Sequence, residues 1–453
     1  MQHYVPGFIL QECEEKRYSG TINAFVMFLD IADFTETSDR LRRLGSKGAE
    51  ALSNYLTAAF TYPIMQVESN GGFISHFAGD AFCAIFPGFE CRAIRQALSN
   101  IQDYFTDNVY HDPEFGDFPI SIRPTLTQGE VKWRILQSRI KCEYVFFGQP
   151  MQEIYNLSKH KSPCMLSEAV LKAFAADPGE TLDILPFHFD YSETTRQLFT
   201  IARLVDLKVE NEIRDAAYCF VDLSRIEESR LEEVMESIHN KLEDYSGFLN
   251  KIDATDKGLV ALVLFGLPRA IGNTLERMCR FALEMITEEP KLSMGLACGS
   301  AYTGYVGSAN TREFTSLGSA VNLASRLMQL AEMGEIATDS YLQQEMHYKY
   351  SFAAAKPVKL KGFTAEVHAH KLLGRLPRPP QSFHTDFVGR EAEIESLRQE
   401  AEQPGSRIVY ISGEPGMGKS RLIVEALKPF PKGYFLFSRS EEHTSELQSR
   451  QVI

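Results

Sequence analysis

One plan of strands and helices is written twice in this chain, about two hundred residues apart, and that repeat restricts the fold more than any single motif does. Residues 24–31, AFVMFLDI, form an apolar run ending in an acid, and residues 217–223, AYCFVDL, echo it. Residues 72–87 return as 247–266 with a few extra residues at the turn, 121–137 return as 292–307, and 145–157 return as 313–327. Tandem homologous domains are therefore expected. Such a pair usually packs about a pseudo-twofold axis, which puts two related clefts at the interface.

The expected boundaries are a first domain at 20–175, a connecting segment at 176–213 and a second domain at 214–374. A short Pro/Arg-rich linker at 375–385, a further domain at 386–438 and a polar tail at 439–453 follow. The tail, RSEEHTSELQS over 439–449, reads like a translated sequencing-library adapter, so the native chain is expected to continue and residues from Ser382 onward to be poorly ordered. A net charge of −13, from 47 basic and 60 acidic residues, argues against nucleic acid or an anionic membrane as main partner. The eight cysteines show no CxxC pair, which suits free thiols in a reducing cytosol. The first residues lack the basic start and long apolar core of a signal peptide, and the longest apolar run, 259–267, is too short for a bilayer. A soluble, cytoplasmic protein is expected.

Two constellations carry chemistry. Residues 24–34, AFVMFLDIADF, read as a buried strand that delivers Asp30 to its C-terminal edge. Two later strand-like runs meet at Ala78-Gly79-Asp80, which brings Asp80 to a hairpin tip near Asp30. Paired carboxylates there make a hard-oxygen site for Mg²⁺ or Mn²⁺, completed by a ligand's phosphates. In residues 313–327, EFTSLGSAVNLASRL, Gly318 turns a short strand into a helix on which Asn322 and Arg326 share a face. By themselves these two would more readily describe an ordinary polar helix face. Helices are expected at 49–67 and 91–105, a strand and turn at 120–129, and a glycine-bracketed turn at 304–307.

FLDIADF, FAGDAF, EFTSLGSAVNLASR and the late VKLKGF, in this order, resemble class III nucleotidyl cyclases of the soluble adenylyl cyclase type, over roughly residues 20–375. The resemblance implies an α+β fold. Two tandem ferredoxin-like βαββαβ domains would form a pseudo-twofold heterodimer, followed by the start of an α/β P-loop NTPase domain. It implies two Mg²⁺ or Mn²⁺ ions on Asp30, Asp80 and the Ile31 carbonyl, with ATP as substrate. Lys251 and Thr315 would read the purine, Asn322 would orient the ribose, and Arg326 would neutralise the α-phosphate. Lysine donates to adenine N1 and a threonine hydroxyl accepts from the 6-amino group, so these identities favour ATP over GTP.

The copies differ. Counted from Gly148 as from Gly318, Thr315 corresponds to Val145, Asn322 to Gln152 and Arg326 to Asn156. Asp222 keeps the first metal position of the second copy, and Asp256 is a loose counterpart of Asp80. One complete site within a single chain is expected, compatible with a monomer, beside a degenerate pseudo-site. In soluble adenylyl cyclases a lysine and an arginine of that pseudo-site accept bicarbonate; here those positions hold His76 and Tyr155, so a weak or absent response is expected. A turn histidine without a ligand is the equal alternative for His76.

Further on, GEPGMGKS places Gly413, Gly418, Lys419 and Ser420 in the G-x-x-x-x-G-K-S pattern. It lies after an expected strand, RIVYI at 407–411, and before an expected helix, RLIVEAL at 421–427. This resembles the opening of an AAA or STAND ATPase and implies a second bound nucleotide. The rival readings are a non-catalytic nucleotide sensor that regulates the ATPase, and a guanylyl cyclase.

Overall fold

The computed structural model describes residues 4–42, 45–88, 91–160, 162–177, 189–200, 210–255, 258–361, 363, 365–376, 387–403, 408–413, 417–430, 436–438 and 450–452. The chain divides into two compact units, Met1–Gly374 and Arg375–Ile453.

In the first unit, strand β1 (Ser19–Ile31) is followed by helix α1 (Gly45–Ser69), strands β2 (Phe73–Phe77) and β3 (Ala81–Pro87), and helix α2 (Cys91–Tyr104). Strands β4 (Ile122–Leu136) and β5 (Glu143–Phe147) and helix α3 (Gln149–Leu157) complete the first half. The second half runs through β6 (Glu212–Asp222), α4 (Leu231–Asp244), β7 (Gly247–Thr255), β8 (Gly258–Phe265) and α5 (Thr274–Glu288). It ends with β9 (Ser293–Gly307), β10 (Arg312–Leu317), α6 (Ser319–Leu330), β11 (Ile336–Thr338) and β12 (Val367–Arg375).

The first sheet has the order β2-β3-β1-β4-β5 and the second begins β7-β8-β6-β9 with β10 on β9. In both, the hairpin and the long strand flank the first strand antiparallel, which is the ferredoxin-like order of a βαββαβ unit. Each long strand also takes a short parallel strand, Met165–Leu166 on β4 and β11 on β9. The expected α+β class is the observed one.

Period-2 alternation explains the layering. On β1, Phe25, Met27 and Leu29 join Leu52, Tyr55, Leu56 and Phe60 of α1, while Val26 and Phe28 face Met151 and Ile154 of α3. On β6, Cys219 and Val221 meet α4 and α5, while Tyr218 meets Val321, Ala324 and Leu327 of α6. Helix α6 rests directly on β9, because a Cβ on Gly295 would lie 2.1 Å from both the Ala324 carbonyl oxygen and the Met328 nitrogen. The halves interlock reciprocally: Tyr302, Val306 and Leu317 enter the first half's core, and Leu136 and Val145 enter the second's. A buried Lys141–Glu143 pair at 2.6 Å joins them too, with His239 of α4 at 3.3 Å from Glu143.

Three local expectations are corrected. The strand at 120–129 does not turn at Gly129 but continues to Leu136; the glycine is needed because a Cβ there would lie 2.8 Å from Pro150 of α3. Residues 304–307 are the end of β9, not a turn, since Gly304 and Gly307 pair with Thr315 and Arg312; the turn that follows is closed by the Ser308 N–H donating to the Thr311 carbonyl at 2.9 Å. The turn alternative for His76 falls, since His76 is a strand residue of β2, as Lys251 is of β7.

In the second unit, helices α7 (Glu391–Glu402) and α8 (Lys419–Leu427) form, the latter as expected, and Leu436–Ser438 pairs with Arg450–Val452. Residues 408–411 of RIVYI are not a strand: Ile408 is fully exposed and Tyr410 nearly so. A parallel strand needs neighbours to bond its peptide groups, and none flanks it among the described residues. Most of the connecting segment, Asp256, residues 414–416 and most of the tail lie outside the described residues. Among the described residues no helix is long and apolar enough to cross a membrane. All eight cysteines are free.

Candidate active site

The sheet registers bring the two aspartates together. Asp30 at the end of β1 faces Ala81 on β3 and Arg123 on β4, and the Ile31 N–H donates to the Asp80 carbonyl at 3.2 Å. The turn before Asp80 is closed by the Ala78 N–H on the Ala81 carbonyl at 2.8 Å. Burial, then the nearby Asp30 charge, push the Asp80 carboxyl up to about 7, partly offset by Arg123. Arg123 Nη2 lies 3.5 Å from Asp30, and its buried Nε has no hydrogen-bond partner among the described residues. Arg123 was not singled out in the sequence; its signal is only the register opposite Asp30. Among the described residues no group of three or more His, Cys, Asp or Glu is placed to hold a metal.

The second half supplies the facing wall. A bulge in β7 at Asn250 lets two consecutive residues serve the site. Lys251 donates to the Phe77 carbonyl and lies 3.4 Å from Asp253. Burial alone would lower the Lys251 ammonium, but Asp253 and Glu313 outweigh it and hold the pKa above its ordinary value. Glu313 accepts from the Phe77 N–H, and burial pushes its carboxyl up to about 7 although Lys251 pulls the other way. One ammonium thus faces the buried Glu313 and the largely buried Asp253, and an oxygen of each carboxylate has no hydrogen bond among the described residues. Phe77, three residues before Asp80, is gripped through both its N–H and its C=O by the other half.

Thr315 is buried beside them and donates to Asn250 Oδ1 at 2.9 Å. On β10 it shares a face with Glu313 and with Leu317, which lies against Gly79 of the turn before Asp80. Asn322 and Arg326 occupy successive turns of α6, which begins at Gly318; Arg326 donates to Gln329 at 3.2 Å. Glu313, Asn250 and Asp253 were missed in the sequence, although a spacing of two from Thr315 and from Lys251 marks Glu313 and Asp253 as sharing their faces.

At the other cleft, His76 Nε2 meets the Tyr155 hydroxyl at 2.7 Å and Nδ1 meets Ser75 Oγ at 3.0 Å. Burial, and less so Lys251, lower the His76 pKa against the pull of Asp253. A cavity of about 380 Å³ nearby is lined by Lys132, Arg134, Gly148, Gln152, Ser224 and Gly258. There Asp222 is occupied by the Ser224 N–H at 2.9 Å and Arg225 at 3.3 Å.

In the second unit Gly418, with φ +80°, starts α8, and Lys419 folds back to donate to the Gly413 carbonyl at 2.7 Å. The Ser420 side chain lies outside the described set.

Two stretches of the chain resemble known domain families. Residues 229–374 match the adenylate and guanylate cyclase catalytic domain and residues 386–453 match an AAA ATPase domain. Adenylate cyclase type 10 of Homo sapiens is 21% identical, covering 91% of this chain and 31% of its own length. The Oryctolagus cuniculus protein of the same name is 25% identical, covering 88% and 30%. The chain thus spans about a third of the length of the curated relatives it matches. A class III adenylyl cyclase-like ATP-binding protein from Pseudomonas aeruginosa superposes with a TM-score of 0.51 at 12% identity, covering 72% of this chain and 85% of its own, which supports the class III fold. The chain is therefore similar to adenylate cyclase type 10, with residues 229–374 similar to the adenylate and guanylate cyclase catalytic domain and residues 386–453 similar to an AAA ATPase domain.

Proposed function

We propose that the chain is an adenylyl cyclase that converts ATP to 3′,5′-cyclic AMP and pyrophosphate at one composite site between the halves of its first unit. The observation that carries this reading is the grip on Phe77: Lys251 and Glu313 of the second half hold the backbone that leads into Asp80 of the first. Base-reading and metal-binding groups therefore belong to one rigid construction, as an in-line displacement needs.

The donor set fits Mg²⁺ or Mn²⁺. Two hard carboxylates meet at adjacent strand ends, and the proton that Asp80 retains toward pH 7 is what a divalent cation would displace. Asp30, Asp80 and the Ile31 carbonyl would hold the ions, which when bound supply a lowered pKa for the ribose 3′-hydroxyl and a seat for the triphosphate. Arg123 stands as counter-cation for phosphate oxygens. Lys251 has three N–H donors, two of them directed to Phe77 and Asp253, and the third serves adenine N1. Thr315 accepts from the 6-amino group. Asn322 orients the ribose so that O3′ lies in line with the α-phosphorus, and Arg326 leaves Gln329 for the equatorial oxygens as charge builds. The O3′–P bond forms as the bond to pyrophosphate breaks.

The other cleft lacks this set and is a degenerate counterpart, related to the first by a pseudo-twofold. A second nucleotide is proposed at the loop of Gly413, Gly418, Lys419 and Ser420. A sensor that binds ATP without turnover is the second reading, favoured by the contact of Arg326 with Gln329. The test is product formation by the full chain with Mn²⁺ and ATP or GTP. Cyclic AMP from wild type, lost in Asp80→Ala and Arg326→Ala, supports the enzyme; ATP binding without product establishes the sensor, and preferential use of GTP a guanylyl cyclase.

A further inference from the structure

Asn250 is fully buried, and its two side-chain bonds fix a direction. Its Nδ2 donates to the Phe314 carbonyl at 2.7 Å. A carbonyl only accepts, so the amide nitrogen is held on that side and Oδ1 is left facing Thr315. Oδ1 also only accepts, so the single Thr315 hydroxyl proton points at Asn250, at 2.9 Å. What Thr315 has left to offer is lone pairs. Its neighbours on the same strand face, Glu313 and Leu317, both touch the first half's hairpin, so those lone pairs belong to the wall that faces the metal turn.

The molecule contains its own control. In the first half the bulge recurs at Ser75, between Ile74 and His76, as in the second half it occurs at Asn250, between Leu249 and Lys251. On the adjoining strand, Val145 pairs with Arg134 as Thr315 pairs with Gly304. The fold thus accepts a serine and a valine at these two places, and neither the bulge nor the hairpin requires an Asn–Thr pair. The pair occurs only in the half that carries Lys251.

We propose that Asn250 is a specificity-determining positioning residue: by fixing the Thr315 hydroxyl as an acceptor, it selects a 6-amino purine nucleotide over a 6-oxo one. This rests on the adenylyl cyclase reading of the site. A 6-amino group donates to the fixed lone pairs, whereas a 6-oxo group sets lone pair against lone pair. Lys251 discriminates in the same sense at N1, which carries a lone pair in adenine and a hydrogen in a 6-oxo purine.

The experiment compares kcat/KM for ATP and for inosine 5′-triphosphate in the full chain, in wild type, Asn250→Ser, Thr315→Val and the double variant. Freed from Asn250, the hydroxyl can turn and donate to a 6-oxo group, so the ATP preference is expected to fall about tenfold in Asn250→Ser. In the Thr315→Val background the same change is expected to leave the preference unmoved. Equal losses for both nucleotides, an unchanged ratio, or the same fall without the Thr315 hydroxyl would each overturn the proposal. The preference is also read by equilibrium binding in chains carrying Lys419→Ala, so that only the cyclase cleft reports. Preferential ATP binding lost in Asn250→Ser, with no product from wild type, removes the enzyme reading and keeps Asn250. Product with an unmoved ratio does the reverse, and no preference in wild type overturns the proposal.

Discussion

Glu313→Gln should make the protein more stable and a worse catalyst. Glu313 is 2% exposed, faces Lys251 and Asp253, and keeps one carboxylate oxygen without a hydrogen bond among the described residues. Burial moves its carboxyl from an ordinary 4.5 to about 7. Ionising it there costs at most roughly 3 kcal/mol, and relaxation of the surroundings reduces the gain expected from glutamine to about 1–2 kcal/mol. The sign follows from proton binding. The folded pKa lies above the unfolded one, so between about pH 4.5 and 7 the folded state holds more protons. The stability of wild type relative to the variant is therefore highest at low pH and falls as pH rises through that window. Denaturant unfolding of both chains in EDTA at pH 5 and pH 8.5 reads the difference, which cancels Asp80, a second raised carboxyl, and His76, a lowered imidazole. The glutamine oxygen can still accept from Phe77 but no longer holds the Lys251 charge, so ATP turnover should fall. Lower stability of Glu313→Gln at pH 8.5, or a difference independent of pH, would refute the reasoning.

Asp30→Asn and Asp80→Asn should each reduce cyclic AMP formation by about two to three powers of ten or more, and chelation should abolish it until Mn²⁺ is restored; residual full activity in EDTA would contradict the metal reading. Arg326→Lys keeps the charge but loses the planar fork, and should lower kcat by roughly tenfold to a hundredfold with KM little changed; a pure KM effect would place Arg326 on the ground state. Lys251→Glu exchanges a donor for an acceptor at the purine N1 and should reduce the ATP-to-GTP preference by at least about a hundredfold, which parallel assays with the two nucleotides measure.

The aspartate pair was legible in the sequence because it depends on short-range patterns. An apolar run that ends in an acid and a small Ala-Gly turn before another both announce strand ends, and the repeat announced two copies of one domain. The grip on Phe77 was not legible, since it joins residues 174 apart and involves a backbone carbonyl, which no side-chain motif reports. The bulge at Asn250 was hidden for a related reason. In LNKI the alternation of side chains slips by one residue, and only the register with β8 reveals which residue is extra. Residues 408–411 of RIVYI show the opposite failure, in which correct strand composition yields no strand, because pairing partners decide it.

The first half's His76 is the place where resemblance and geometry point apart on regulation. In the family it resembles, the corresponding lysine and a nearby arginine receive bicarbonate. Here His76 and Tyr155 spend their polar atoms on each other, with Ser75 on the remaining ring nitrogen. Burial lowers the pKa of the ring and so favours its neutral form, and the stability this contributes grows as pH rises toward the ordinary histidine value and is complete above it. An anion entering there would break the 2.7 Å bond and sit beside Asp253, 4.0 Å from the ring, while Lys251, whose charge reaches His76, is already committed to Asp253 and the Phe77 carbonyl. Desolvating an unpaired anion costs several kcal/mol, well beyond what one neutral hydrogen bond returns. Bicarbonate at fixed pH and ionic strength should therefore leave cyclic AMP formation within about twofold of a chloride control. The double variant His76→Lys/Tyr155→Arg restores two cations and should gain a response. A several-fold activation of wild type would mean that the His76–Tyr155 bond opens readily, and that the cleft it closes is still in use.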